Sequence, residues 1–263
     1  MRPPRILVFD SGLGGLTVFE PVAALRPDAE LTYVADDAFF PYGALAEDAL
    51  VARVVALMGE LIPRFEPDLV VVACNTASTL VLAPLRAAYK TPFVGTVPAI
   101  KPASLASRSK LISVLATPGT VARDYTRGLI REFAGDCEVT LVGARALASL
   151  AEADLRGERI ADADIAREIA PAFVERAGRR TDQIVLACTH FPLLGARLAA
   201  LAPWPVAWVD PAPAIARRVD ALLGPARGAA ASRPPLAVFT RGAKVPPALE
   251  RALLERGLGV SSL

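Results

Sequence analysis

Nine short apolar, β-branched runs set along the chain constrain its fold more than any other feature. They are Ile6–Phe9, Leu31–Ala35, Leu69–Ala73, Phe93–Thr96, Leu111–Ala116, Val139–Val142, Ile184–Ala187, Val206–Val209 and Leu236–Thr240. Ala/Leu/Arg-rich stretches with helical spacing lie between them, among them Glu47–Ile62, Val121–Phe133 and Ala163–Arg176. Strands alternating with helices predict an α/β fold. Several runs are apolar at consecutive positions, which suits a parallel sheet covered on both faces.

The pattern repeats. Val72-Ala73-Cys74-Asn75-Thr76 and Leu186-Ala187-Cys188-Thr189-His190 each close an apolar run and open a helix-like stretch. Two copies of one strand–turn–helix unit predict two pseudo-symmetric, doubly wound halves with mainly parallel sheets. The expected domains are 1–96 with 210–263, carrying Cys74, and 97–209, carrying Cys188. The chain would cross over at Gly95-Thr96-Val97-Pro98 and return near Asp210-Pro211, so that the last strand and helix join the first half. Gly224–Pro235 is low in complexity and reads as a flexible surface loop.

Composition removes several classes of function. The 263 residues are 53% hydrophobic, enough for a real core, and 29 basic against 27 acidic residues leave a net charge of only +2. No whole-chain charge argues for nucleic acid. No stretch of 18 apolar residues argues for a membrane span, and no signal core follows Met1; a cytoplasmic protein is expected. Three cysteines do not make a disulfide framework. A zinc site would need Cys74, Cys137, Cys188 and His190 together, without the usual close cysteine pairs; no metal is expected. The four lysines, Lys90, Lys101, Lys110 and Lys244, lie outside every site motif, so a pyridoxal Schiff base has no anchor and no cofactor is expected.

In a doubly wound sheet, ligands sit at the carboxyl ends of the strands. Cys74 and Cys188 both stand there, at helix starts whose free N–H groups favour a thiolate. Two thiols on facing halves could take a proton from one side of a carbon and return it on the other. Asn75, Thr76 and Thr189 add donors for an anionic ligand. His190, the only histidine, lies two residues from Cys188 and is placed for proton handling. Cys137 lacks such surroundings.

The first run ends in Asp10-Ser11-Gly12-Leu13-Gly14-Gly15-Leu16-Thr17. The turn resembles a dinucleotide fingerprint, but Thr17 replaces its third glycine and Asp10 would repel a pyrophosphate. Asp10 suits an amine or a proton relay, with Ser11 as its hydrogen-bond partner. Thr117 and Thr120, after the fifth strand, could hold a carboxylate. By themselves Asp36-Asp37 and Pro41-Tyr42-Gly43 read as a plain turn, and Glu152 as a solvated helix charge.

Together these motifs resemble the cofactor-independent glutamate racemases of the aspartate/glutamate racemase superfamily. The resemblance rests on Phe9–Leu16, Asp36 with Pro41-Tyr42-Gly43, Ala73–Ser78, Thr117–Thr120 and Cys188–Leu194, in the family's order, and spans roughly residues 5–220. It implies two α/β domains with the active site in the cleft between them, and no metal or pyridoxal phosphate. It implies Cys74 and Cys188 as the two bases, Cys74 acting on the D-form and Cys188 on the L-form, assisted by Asp10, Glu152 and His190. It implies substrate contacts from Asp10, Ser11, Pro41, Tyr42, Gly43, Asn75, Thr76, Thr117, Thr120 and Thr189. The chain departs from the family at Ala146–Ala151, which lacks the usual proline before the glutamate, and at Ala187, where glycine is frequent.

The expected activity is racemisation of glutamate, supplying D-glutamate for peptidoglycan synthesis. Partners would be the small-molecule substrate and, at most, a second copy in a homodimer. The rivals are a racemase of aspartate, a hydantoin or a related acid, and an amino-acid-binding protein without catalysis.

Overall fold

The computed structural model describes residues 2–226, 231, 233–242 and 244–262. In chain order the first part contains β1 (Arg5–Asp10), α1 (Leu16–Leu25), β2 (Glu30–Ala35), α2 (Glu47–Phe65), β3 (Leu69–Val72), α3 (Asn75–Ala88) and β4 (Phe93–Gly95). Next come α4 (Ile100–Ala106), β5 (Leu111–Ala116), α5 (Pro118–Ala122), α6 (Asp124–Phe133), β6 (Glu138–Gly143), α7 (Leu147–Leu155) and α8 (Asp162–Ile169). They are followed by β7 (Glu175–Arg176), β8 (Arg179–Arg180), β9 (Gln183–Ala187), α9 (Gly195–Leu201) and β10 (Ala207–Val209). The chain ends with α10 (Ala212–Leu223), β11 (Leu236–Phe239), α11 (Pro247–Glu255) and β12 (Gly259–Ser262).

Two parallel sheets result. The larger has the order β12-β11-β2-β1-β3-β4 and the smaller β10-β9-β5-β6. The last strands return to the first sheet, β11 pairing with β2 and β12 with β11. The central strands β1, β3, β5 and β9 are largely apolar on both sides because each sheet is covered on both faces. Ile6 and Val8 face a core closed by α1, α10 and α11, while Leu7 and Phe9 face one closed by α2 and α3. In the smaller sheet Ile184 and Leu186 pack with α7, α8 and α9, and Val185 and Ala187 with α4 and α6.

Three sequence expectations change. The Val121–Phe133 helix is split, because Arg123 is extended between α5 and α6. The Ala163–Arg176 helix stops at Ile169. Pro171 sits in a 3₁₀ turn over Ala170–Ala172, and Glu175–Arg176 pairs antiparallel with Arg179–Arg180 through a tight turn at Ala177-Gly178. Proline has no N–H to continue a helix, and Gly178 supplies a positive φ. The sequence reading also missed β12. Of the Gly224–Pro235 stretch, residues 227–230 and 232 lie outside the described residues. No helix among the described residues is long and apolar enough to cross a membrane.

Register brings the site motifs together. Phe9 pairs with Val72, so the β1 turn and Cys74 leave the sheet side by side. Ala116 pairs with Ala187, which does the same for Thr117 and Cys188.

Candidate active site

A cavity of about 20 Å³ lies between the carboxyl ends of the two sheets, room for about one water. Ser11, Pro41, Tyr42, Gly43, Cys74, Asn75 and Thr76 wall it from one half, and Thr117, Cys188, Thr189 and His190 from the other. Phe40 and Ala148 complete the wall and were not legible as site residues. Asp10, Thr120 and Glu152 stand behind it, each bonded to a lining residue or to the glycine turn.

Both thiols are free and buried. Cys74 caps α3 in an extended conformation, and its Sγ lies 3.8 Å from Ser11 Oγ. Burial, and next the Asp10 carboxylate, pushes the Cys74 thiol well up. Cys188 precedes a short 3₁₀ turn (Phe191–Leu194) and α9, and its Sγ lies 3.9 Å from His190 Nδ1.

His190 is tied to Glu152, its Nε2 standing 2.9 Å from Glu152 Oε1. The Gly14 amide approaches the same nitrogen at 3.1 Å. A carboxylate is the stronger partner, so Nε2 carries a hydrogen and donates to Glu152, while Nδ1 faces Cys188. Burial by itself lowers the His190 pKa. Its bonds to Cys188 and Glu152, and the Asp10 charge, outweigh burial and hold the imidazole well above its ordinary range. Burial raises Glu152, but the His190 bond, the Leu13 amide and Arg156 outweigh it and leave the carboxyl below its usual value.

The glycine-rich turn binds these groups rather than a phosphate. Asp10 Oδ2 accepts the Gly12 and Gly15 amides at 3.1 and 3.0 Å. Leu13 N–H donates to Glu152 Oε1, and Thr17 Oγ1 reaches the Thr189 carbonyl at 3.0 Å. A Cβ at Gly12 would meet Glu152 Oε1 at 2.1 Å. The glycines permit a carboxylate and an imidazole from the second half to press onto the first.

Asp10 is fully buried, and burial raises its pKa against the opposing His190 charge and amide bonds. Its Oδ1 has no hydrogen-bond partner, and neither Oδ1 nor Nδ2 of Asn75 has one. Buried polar atoms left unpaired are costly and rare. Asn75 lines the cavity, so its amide is positioned to meet a polar ligand.

On the opposite side Thr76, Thr117 and Thr120 form a triangle of hydroxyls, with Oγ1 separations of 3.0, 3.2 and 3.0 Å. The Pro41–Gly43 turn is held from behind. Tyr42 Oη donates to Asp36 Oδ2 at 2.6 Å, and Arg53 clamps both Asp36 oxygens. Phe40 packs on His190 with ring centroids 5.3 Å apart.

The arrangement resembles that of known proteins. The glutamate racemase of Brucella anthropi is 60% identical over 223 residues, covering 84% of this chain and 80% of that protein. A structure of Escherichia coli glutamate racemase with L-glutamate and the activator UDP-MurNAc-Ala superposes with a TM-score of 0.90 at 39% identity, over 98% of this chain and 97% of that one. Thermus thermophilus glutamate racemase with β-chloro-D-alanine gives 0.73 at 27% identity, over 100% and 98%. The profile of the Asp/Glu/Hydantoin racemases matches residues 17–219, and the chain belongs to that family.

Proposed function

We propose that this racemase interconverts L- and D-glutamate by a two-base mechanism using Cys74 and Cys188. The observation that carries the reading is the pairing of two buried thiols from opposite halves across one cavity whose wall also holds an unpartnered asparagine amide. One base on one face would return the proton where it came from; two groups, each base in one direction and acid in the other, invert the carbon.

In the L-to-D direction Cys188 removes the α-proton and Cys74 supplies one to the opposite face; the reverse reaction exchanges the roles. His190 Nδ1 lies beside the Cys188 sulfur at 3.9 Å, and Glu152 holds the imidazole in place. Ser11 supports Cys74. The raised pKa of Cys74 in the closed cavity makes it a proton donor there; a bound α-ammonium would offset the burial that keeps it protonated. Asn75, Thr189 and the Pro41–Gly43 turn serve the α-carboxylate and amine. The hydroxyls of Thr76 and Thr117, backed by Thr120, serve the side-chain carboxylate, and the Asp10 charge acts on the substrate's ammonium from behind the wall. As negative charge builds beside the α-carboxylate, these fixed donors strengthen their hold. The chemistry asks nothing of a metal or cofactor.

We further propose that 1–96 with 210–263 and 97–209 act as two domains that part to admit substrate, because the cavity is too small for an amino acid. The product is D-glutamate for peptidoglycan synthesis in the cytoplasm, made by a monomer or homodimer.

The test is to incubate the protein with L-glutamate and follow optical rotation and D-glutamate by chiral chromatography. Convergence on an equal mixture supports the reading. Faster turnover of aspartate or a hydantoin, or binding without turnover, would contradict it.

A further inference from the structure

Arg156 stands one helical turn beyond Glu152, at the C-terminal end of α7, and does not line the cavity. Its Nη2 donates to Glu152 Oε2 at 3.0 Å, while Oε1 receives the Leu13 amide and His190 Nε2. The two carboxylate oxygens therefore divide their work, one holding Arg156 and the other the catalytic side. Glu152 is 6% exposed and Arg156 27%. An i, i+4 pair between two solvated side chains contributes little. Here the acid is buried, and Arg156 is the second cation on it after the His190 imidazole, so losing Arg156 weakens the hold on the charged, fixed carboxylate. Without Arg156, Oε2 loses the donor that fixes the carboxylate's orientation, and Oε1 is freer to turn from Leu13 and His190.

We propose that Arg156 is a positioning residue for proton transfer on the Cys188 face. It keeps Glu152 charged and aimed, so that His190 Nδ1 stays turned to the Cys188 sulfur. The proposal rests on the two-base reading above. The groups facing the Glu152–His190 pair are Asp10 from β1, Tyr33 from β2 and Cys188 from the end of β9. Besides the His190 imidazole itself, Arg156 is the cation paired with Glu152. The Cys74 face is built differently, with Ser11 Oγ beside the sulfur, so loss of Arg156 should strike one face and spare the other.

Racemisation cannot separate the faces, because every turnover uses both. Elimination can. With glutamate bearing chloride at the β-carbon, a base takes the α-proton, the C–H electron pair becomes the Cα–Cβ double bond, and chloride departs. Tautomerisation to the imine and hydrolysis by water give the 2-oxo acid and ammonium. Chloride release from the L- and D-analogues is measured against pH for wild type, Arg156→Met, Arg156→Lys, Cys74→Ala and Cys188→Ala.

Arg156→Met is expected to slow the L-analogue by about tenfold or more. It should also move the alkaline limb of that profile down by about half a pH unit or more, as His190 loses its proton more readily. The D-analogue should stay within about twofold, and Arg156→Lys should recover most of the L-rate. Equal slowing of both enantiomers by Arg156→Met, with each cysteine variant still selective for one, would overturn the role of Arg156 and leave two-base catalysis standing. Loss of both eliminations in one cysteine variant and neither in the other would overturn both.

Discussion

The Gly14 amide stands 3.1 Å from His190 Nε2, and a Cβ at Gly14 would lie 2.2 Å from Nδ1 of the same ring. The glycine therefore makes room for an imidazole arriving from the other sheet. Gly14→Ala should displace His190 and lower racemisation by about 100-fold or more, since a misplacement near 1 Å costs that much. Gly135→Ala, whose Cβ would meet nothing within 4 Å, should leave activity unchanged. Rate measurements on the two variants decide the point; an active Gly14→Ala protein would remove the steric account.

Asp10 is a candidate site residue held at a cost to stability. Burial raises its pKa, so the folded state disfavours the ionised carboxylate. The penalty is absent below the unfolded value of about 3.9, grows through the interval up to the raised folded pKa, and is full above it. Asp10→Asn keeps an oxygen for the Gly12 and Gly15 amides and removes the charge. It should raise Tm at pH 8 by about 2 °C or more, with the gain shrinking toward pH 4, while racemisation is lost. Thermal melts across that range check it; a lower Tm at pH 8 would show that the charge is stabilising.

Asp36 behaves oppositely. It is fully buried, and burial raises its pKa, but Arg53, Tyr42 and Thr240 donate to it at 2.6–2.9 Å and bring it below the usual value. Its contribution is complete above the unfolded pKa and is lost as pH falls through the lowered folded value. Asp36→Asn should cost about 1–3 kcal/mol at pH 7 and raise KM, because the Pro41–Gly43 wall loosens. The Tm gap to wild type should close below about pH 4. A gap that persists to pH 2 would show that packing, not charge, is what Asp36 supplies.

The fold was legible because burial on both faces makes a strand apolar at consecutive positions, as at Ile6–Phe9 in β1, Leu69–Val72 in β3, Val114–Ala116 in β5 and Ile184–Ala187 in β9. The cysteines were legible as candidate site residues because each ends such a run, and both line the cavity. What pairs with them was less so. Glu152 reads as a solvated charge until α7 is laid beside the Cys188 turn; 38 residues separate it from His190, and no periodicity links them. Arg156 and Arg53 act through buried acids, a relation that only tertiary packing creates. Phe40 lies in an irregular turn with no pattern to mark its ring. The helix expected to Arg176 failed at Pro171, where loss of a backbone donor overrode the favourable spacing on either side.

The cysteines should differ sharply in their response to mutation. Cys74→Ala and Cys188→Ala should each reduce racemisation by at least about 10⁴-fold, because each turnover needs one thiol as base and the other as acid. Cys137, in contact with Ser104 and Asp136 and remote from the cavity wall, should be replaceable by Ala with little effect. Substantial racemisation by either site variant would contradict the assignment.

Proton bookkeeping in heavy water tests the two-base claim most directly. L-Glutamate is incubated with the wild-type protein in D₂O, and deuterium at the α-carbon is measured in both enantiomers before a tenth of the substrate has reacted. Two thiols on opposite faces predict that D-glutamate carries solvent deuterium from the first turnover, while unreacted L-glutamate keeps its original proton. Deuterium entering both enantiomers at comparable early rates, or protium retained in the D-product, would mean that one base serves both faces.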